Sequence, residues 1–327
     1  MAEMVKPLFR LAGLVAALVV TSLLPASASA SKGVDLRVVA PDGRTLVEQR
    51  QYTGSVGIET NPRARCFGQG TGGSGDRVKV RGATALGAVR DALAKDRDLR
   101  PLSITDAFLD DGFGLGVCGI GGYRAQGSSF WYLKADHVGS QVSGSQLKVR
   151  RGEDLLWYLT PSFPPPPELR LRAPARARPN VSFPVTVYAY ADDGTRTPAA
   201  GATVTGAAQP TGPTGRTTAT LKAGRRVLKA TRGANIPSNR VEVCVRTSLS
   251  KCPGERGLLI YGSRRDDHIR GTGGWDEISA RGGGDRVILL DRGRDRVRCG
   301  GGRDKVVLHR GDRDDRIAAN CERVVKR

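Results

Sequence analysis

Six copies of one small unit crowd the last sixty residues of the chain. Asp267-His-Ile269, Asp276-Glu-Ile278, Asp285-Arg-Val287, Asp295-Arg-Val297, Asp304-Lys-Val306 and Asp315-Arg-Ile317 recur at spacings of 9, 9, 10, 9 and 11 residues. A period this short leaves no room for a helical pair or an independently folded module. It suits short parallel strands stacked into a solenoid, each aliphatic residue facing inward and a Gly-rich turn before each Asp carrying the chain to the next rung. The repeat therefore predicts a C-terminal parallel β-roll-like solenoid over 249–327.

The opposite end reads as a leader. Lys6 and Arg10 precede an apolar run from Leu11 to Leu24, and Ala26-Ser27-Ala28-Ser29-Ala30 supplies the small residues of a signal-peptidase site, so residues 1–30 are expected to be a signal peptide and the mature chain to be secreted. An uncleaved anchor is the alternative, although a run of this length is short for a span. Six cysteines remain: Cys66, Cys118, Cys244, Cys252, Cys299 and Cys321. An even number in an exported chain favours disulfides, and sequential pairing places one bridge in each region; the count alone leaves other pairings open. The net charge of +20 falls to +19 without the leader, spread as +4 over 31–167, +9 over 168–249 and +6 over 250–327. Such an excess points to anionic surfaces, a cell-surface polymer among them. Neither a zinc finger nor an aromatic-basic motif marks a specific nucleic-acid site, and membrane contact is expected only through the leader or surface electrostatics.

Residues 32–160 read as a small α+β domain. Val34 to Val39 alternates like an opening strand, Pro41-Asp42-Gly43-Arg44 is a turn, and Thr84 is placed to cap a helix whose Leu86, Val89 and Leu93 share one stripe. Aromatic strands follow around Phe130-Trp-Tyr-Leu133 and Asp154-Leu-Leu-Trp157. The helix phrase Thr84 to Leu93, the phrase Phe130 to Leu133 and the closing Val149-Arg-Arg-Gly-Glu-Asp-Leu-Leu-Trp157 resemble the DUF4430 family, similar to the small ligand-facing domain of transcobalamin. The resemblance implies a compact α+β unit of surface and secreted proteins, without implying cobalamin, because no large helical partner domain is present. Trp131, Tyr132, Trp157 and Tyr158 are candidates for an aromatic recognition platform; strand alternation instead sends one member of each pair into the core. His137 reads as an exposed turn residue. Gly127-Ser-Ser-Phe130 is no nucleophile elbow and the glycines around Cys118 end in no phosphate loop, so no enzyme is expected.

Pro161 to Pro167 is expected to be an extended linker. Beyond it, short alternating runs over 168–248 predict a β-sandwich, and Ala200-Gly-Ala-Thr-Val204 followed by Gly215-Arg-Thr-Thr-Ala-Thr-Leu221 resembles bacterial immunoglobulin-like surface domains. The expected fold class is multidomain and mainly β: a small α+β domain, an Ig-like β-sandwich and the solenoid.

The terminal repeat resembles degenerate RTX, or haemolysin-type, calcium-binding repeats. That resemblance implies calcium held by turn carboxylates and backbone carbonyls. The closest turns are Gly271-Thr-Gly-Gly-Trp-Asp276, Ala280-Arg-Gly-Gly-Gly-Asp285 and Cys299-Gly-Gly-Gly-Arg-Asp304, making Asp276, Asp285 and Asp304 the first candidate ligands and Asp267, Asp295 and Asp315 the others. Arg265 and Arg313 depart from the pattern at glycine-like positions. A metal-free solenoid braced by outward Arg/Asp pairs is the competing expectation. The sequence as a whole reads as a secreted, non-enzymatic binding or structural protein for a small molecule or cell-surface polymer, with a calcium-dependent adhesin and an enzyme lacking any recognisable motif as alternatives.

Overall fold

The computed structural model describes residues 31–68, 72–161, 163–291 and 293–327; the predicted leader lies outside them. Strands β1 (Lys32–Val39) and β2 (Thr45–Thr53) form an antiparallel hairpin across the predicted turn, where Gly43 takes a φ of 80°. Helix α1 (Ala85–Ala92) starts where Thr84 Oγ1 accepts the Gly87 N–H at 3.1 Å, the cap read from the sequence. Strands β3 (Phe130–Ala135), β4 (Val138–Gly139) and β5 (Asp154–Thr160) complete this sheet, β5 lying parallel to β1. Alternation along β5 divides its side chains: Leu155, Trp157 and Leu159 join Leu86 and Val89 of α1 in one core, while Leu156 and Tyr158 emerge on the other face. Cys66 and Cys118 are bonded within this unit.

The second unit occupies that other face. Glu168–Arg172, Phe183–Tyr190, Arg196–Pro198 and Arg216–Ala219 form one sheet, and Arg176–Ala177, Gly224–Leu228 and Val241–Val245 another. Their inward residues, among them Leu169, Val185, Val187, Val241 and Val243, make a separate core. The proline run predicted a spacer, yet the two units meet directly: Ile236 packs on Val39, Leu156 and Tyr158. Charge binds them as well. Arg37, 2% exposed, reaches the buried Glu168 carboxylate, and Glu168 Oε2 also lies 3.0 Å from His137 Nδ1.

The third unit is the solenoid. Strands β6 (Leu259–Tyr261), β7 (His268–Arg270), β8 (Glu277–Gly282), β9 (Arg286–Leu289), β10 (Arg296–Gly301), β11 (Lys305–Leu308), β12 (Arg316–Ile317) and β13 (Arg323–Lys326) alternate between two parallel sheets. Ile269, Ile278, Val287, Val297 and Val306 fill the space between, each at most 1% exposed, as the period required. Cys299 and Cys321 are bonded inside this core, and Cys244 with Cys252 where the chain enters it. Rungs approach so closely that a Cβ on Gly300, whose φ is 119°, would stand 1.7 Å from the Arg281 carbonyl oxygen; only glycine fits there.

Sequence order suggested that the solenoid would follow the sandwich as a terminal cap. Instead, β6 pairs in parallel with β2 of the first unit, Arg50 opposite Ile260 and Gln51 opposite Tyr261. One sheet therefore runs β12-β10-β8-β6-β2-β1-β5-β3-β4 through both units. Fully buried Gln51 bridges the seam, its Nε2 donating to the Gly262 carbonyl at 3.2 Å, and Arg281 Nη1 donates to the Asp91 carbonyl near the end of α1 at 2.8 Å.

Candidate functional site

The aspartates of the repeat point into the turns. Asp267, Asp276, Asp285, Asp295 and Asp304 are each at most 2% exposed and Asp315 is half-buried. Backbone N–H groups hold them in two ladders. On one side Asp267 N donates to Asp285 Oδ1, Asp285 N to Asp304 Oδ1 and Asp304 N to Glu322 Oε2, all at 2.8 Å. On the other Leu258 N donates to Asp276 Oδ1 at 2.7 Å, Asp276 N to Asp295 Oδ1 at 2.8 Å and Asp295 N to Asp315 Oδ1 at 2.9 Å. The expected Arg/Asp brace is absent: among the described residues no Lys or Arg nitrogen comes within 4.0 Å of these six carboxylates, and the solenoid's own ion pair is Arg296 with Glu277 at 3.8 Å. The period puts each arginine after an Asp on the outward side, away from the carboxylate.

The six aspartates fall into two kinds. Ser263 and Thr272, four residues before Asp267 and Asp276, donate through backbone N–H and hydroxyl to both oxygens of their carboxylates. The later turns carry Arg281, Asp291, Gly300 and Gly311 at that position and supply no such donor. Accordingly Oδ2 of Asp285, Asp295, Asp304 and Asp315 is buried without a hydrogen-bond partner among the described residues. Burial, reinforced by Asp267 and Asp304, pushes the Asp285 carboxyl up to about 8. Burial with Asp276 and Asp291 does the same to Asp295, to about 8, and burial with Asp312 and Asp291 raises Asp315 to about 6. Asp291 and Asp312 belong to this second acidic side and went unnoticed in the sequence because they stand outside the nine-residue rhythm. Among the described residues no group of three or more His, Cys, Asp or Glu is arranged to hold a metal ion.

The four aromatic candidates do not share an exposed face. Trp131 and Trp157 lie in the first core, Trp131 Nε1 donating to the Tyr123 carbonyl at 3.2 Å. Tyr158 packs toward the sandwich, and the Tyr132 hydroxyl donates to Asp192 of the sandwich at 2.7 Å. His137 is likewise not an exposed turn residue: its ring stacks on Tyr190, centroids 3.9 Å apart, beside Glu168.

A cleft of about 500 Å³ opens where the three units meet. Six arginines, Arg37, Arg50, Arg170 and Arg256 among them, line it against five carboxylates, Glu48 among them. Arg50 is paired with Asp35 and Arg170 with Asp154, but Arg37 Nε, Arg256 Nε and Glu48 Oε2 are buried without partners among the described residues. Burial raises the Glu48 carboxyl above its ordinary value against the pull of Arg37.

Fold and sites together define a multidomain, mainly-β protein with immunoglobulin-sized sheets and a C-terminal parallel β-solenoid. The chain matches no family model, no curated protein and no solved structure. Among the described residues no helix is long and apolar enough to cross a membrane.

Proposed function

We propose that this is an exported, non-catalytic binding and scaffolding protein whose solenoid is completed by calcium. The supporting observation is the set of four buried, partnerless carboxylate oxygens on Asp285, Asp295, Asp304 and Asp315. Buried oxygen acceptors without donors are costly, and a hard cation with oxygen ligands removes that cost while stabilising the ionised form. Asp285 with Asp304 would serve one side and Asp295 with Asp315 the other; turn carbonyls and water would supply the remaining oxygens. Asp267 and Asp276, already served by Ser263 and Thr272, are not assigned as ligands. Metal-stripped protein titrated with calcium should release or absorb heat saturably and gain about 2.7 kcal/mol of stability per occupied side at a hundredfold excess over Kd. An Asp285→Asn/Asp304→Asn variant should lose the share of this gain that comes from its own side and keep that of Asp295 with Asp315. No heat and no stabilisation, with the C-terminal unit already folded, would leave a metal-free solenoid in its place.

The small-molecule side of this reading is supported by the three-way cleft. Arg256, whose Nε is without a partner among the described residues, suits a carboxylate or phosphate, and Glu48 suits a hydroxyl or amine on the same ligand. Screening small hydroxylated and amino acids against the intact protein should give ligands whose affinity drops about tenfold in Arg256→Ala. Ligands that bind this variant equally well would place recognition elsewhere.

A further inference from the structure

The parallel register of the solenoid stacks like charges. His268 pairs with Arg286, Arg286 with Lys305 and Lys305 with Arg323 on β7, β9, β11 and β13. In a parallel sheet these positions lie about 4.8 Å apart, so the four side chains form a straight row about 14 Å long. His268, Arg286 and Arg323 are exposed and Lys305 is half-buried. Among the described residues none of the four has a carboxylate within 4.0 Å. The equivalent positions on the other sheet are Leu259, Glu277, Arg296 and Arg316, and there Glu277 does sit against Arg296. Like charges directly opposed across strands destabilise a sheet. The repulsion registers on Lys305, whose ammonium is held below its usual value first by Arg323 and also by Arg286 and Arg327. Burial, with Arg286, Arg151 of the first unit and Arg270, holds the His268 imidazole below its usual value, so the cations of the row are Arg286, Lys305 and Arg323.

We propose that this row is the docking surface for a linear acidic polysaccharide, one carrying a carboxylate on successive sugars. A row of evenly spaced cations matches a chain of evenly spaced anions, and association neutralises the repulsion built into the sheet. Single-stranded nucleic acid fits less well, because no aromatic side chain stands in the row to stack a base. The surface is distinct from the aspartate ladders, which face the turns, and its occupancy does not require a bound cation.

The test uses intact protein and short oligogalacturonides, with neutral dextran and a DNA duplex for comparison, run with and without calcium and with folding checked by circular dichroism. Arg286→Gln/Lys305→Gln should bind oligogalacturonide about tenfold more weakly and with a shallower salt dependence. Arg172→Gln/Arg196→Gln on the sandwich removes the same charge and should change affinity less than twofold. Equal losses in the two variants would reduce the effect to net charge and overturn the proposal. So would tighter, row-dependent binding of the DNA duplex, or equal binding of dextran.

Discussion

Glu168→Leu should destabilise the protein by about 3–5 kcal/mol, because it leaves the buried Arg37 guanidinium without its carboxylate partner. Arg37 and Glu168 have side chains only 3% and 1% exposed, and Lys134 beside them is itself 1% exposed. The double variant Arg37→Met/Glu168→Leu should recover most of the loss, since two apolar side chains need no solvation. Urea unfolding of the three variants completes the cycle. A Glu168→Leu protein within about 0.5 kcal/mol of wild type would mean that the two units do not meet as described. Acid should mimic the substitution. Burial pushes the Glu168 carboxyl up, but Arg37 and His137 outweigh it and hold the group below the usual carboxylate range. Its contribution is therefore present above the unfolded value of 4.5 and disappears as pH falls through the lower folded value.

The aspartate ladders have the opposite sign. Asp285 and Asp295 titrate near 8 in the folded chain against 3.8 for an ordinary aspartate. Groups raised in this way favour folding fully below the unfolded value, and that advantage is lost as pH climbs through the folded one. Metal-stripped protein should consequently show a C-terminal unfolding transition whose temperature falls between about pH 4 and pH 8. Saturating calcium should remove most of the fall, because the cation binds the ionised carboxylates that proton loss produces. Thermal melts with chelator and with calcium across this range separate the two curves. Parallel curves would show that calcium does not reach the ladders, and a flat chelator curve that their carboxylates are solvated.

The solenoid core was legible because its rule is local. An aliphatic residue two places after each Asp faces inward at every turn, and Ile269, Val287 and Val306 obey it without exception. The Asp carboxylates were not legible in the same way. Whether they face outward toward arginine or inward toward backbone depends on N–H groups 18 to 20 residues away, as in Asp267 N to Asp285 Oδ1 and Asp295 N to Asp315 Oδ1. One local signal was available: Ser263 and Thr272, each four residues before an Asp, announce turns that satisfy their own carboxylates. The aromatic strands gave their alternation correctly, but not the partner on the second face, because Ile236 and Asp192 lie dozens of residues further on. His137 gained its environment from Glu168 and Tyr190 for the same reason, and the cleft is assembled from three units that no window of sequence spans.

The seam between β2 and β6 joins residues 210 apart, Arg50 with Ile260 and Gln51 with Tyr261. A nascent chain emerges from its amino end, so β2 is made long before the strand that covers it. Until then the hairpin presents a bare row of backbone donors and acceptors, the template on which unrelated chains aggregate. Premature termination anywhere between the sandwich and Ile260 would thus yield a product with two formed cores and an open β edge, prone to self-association.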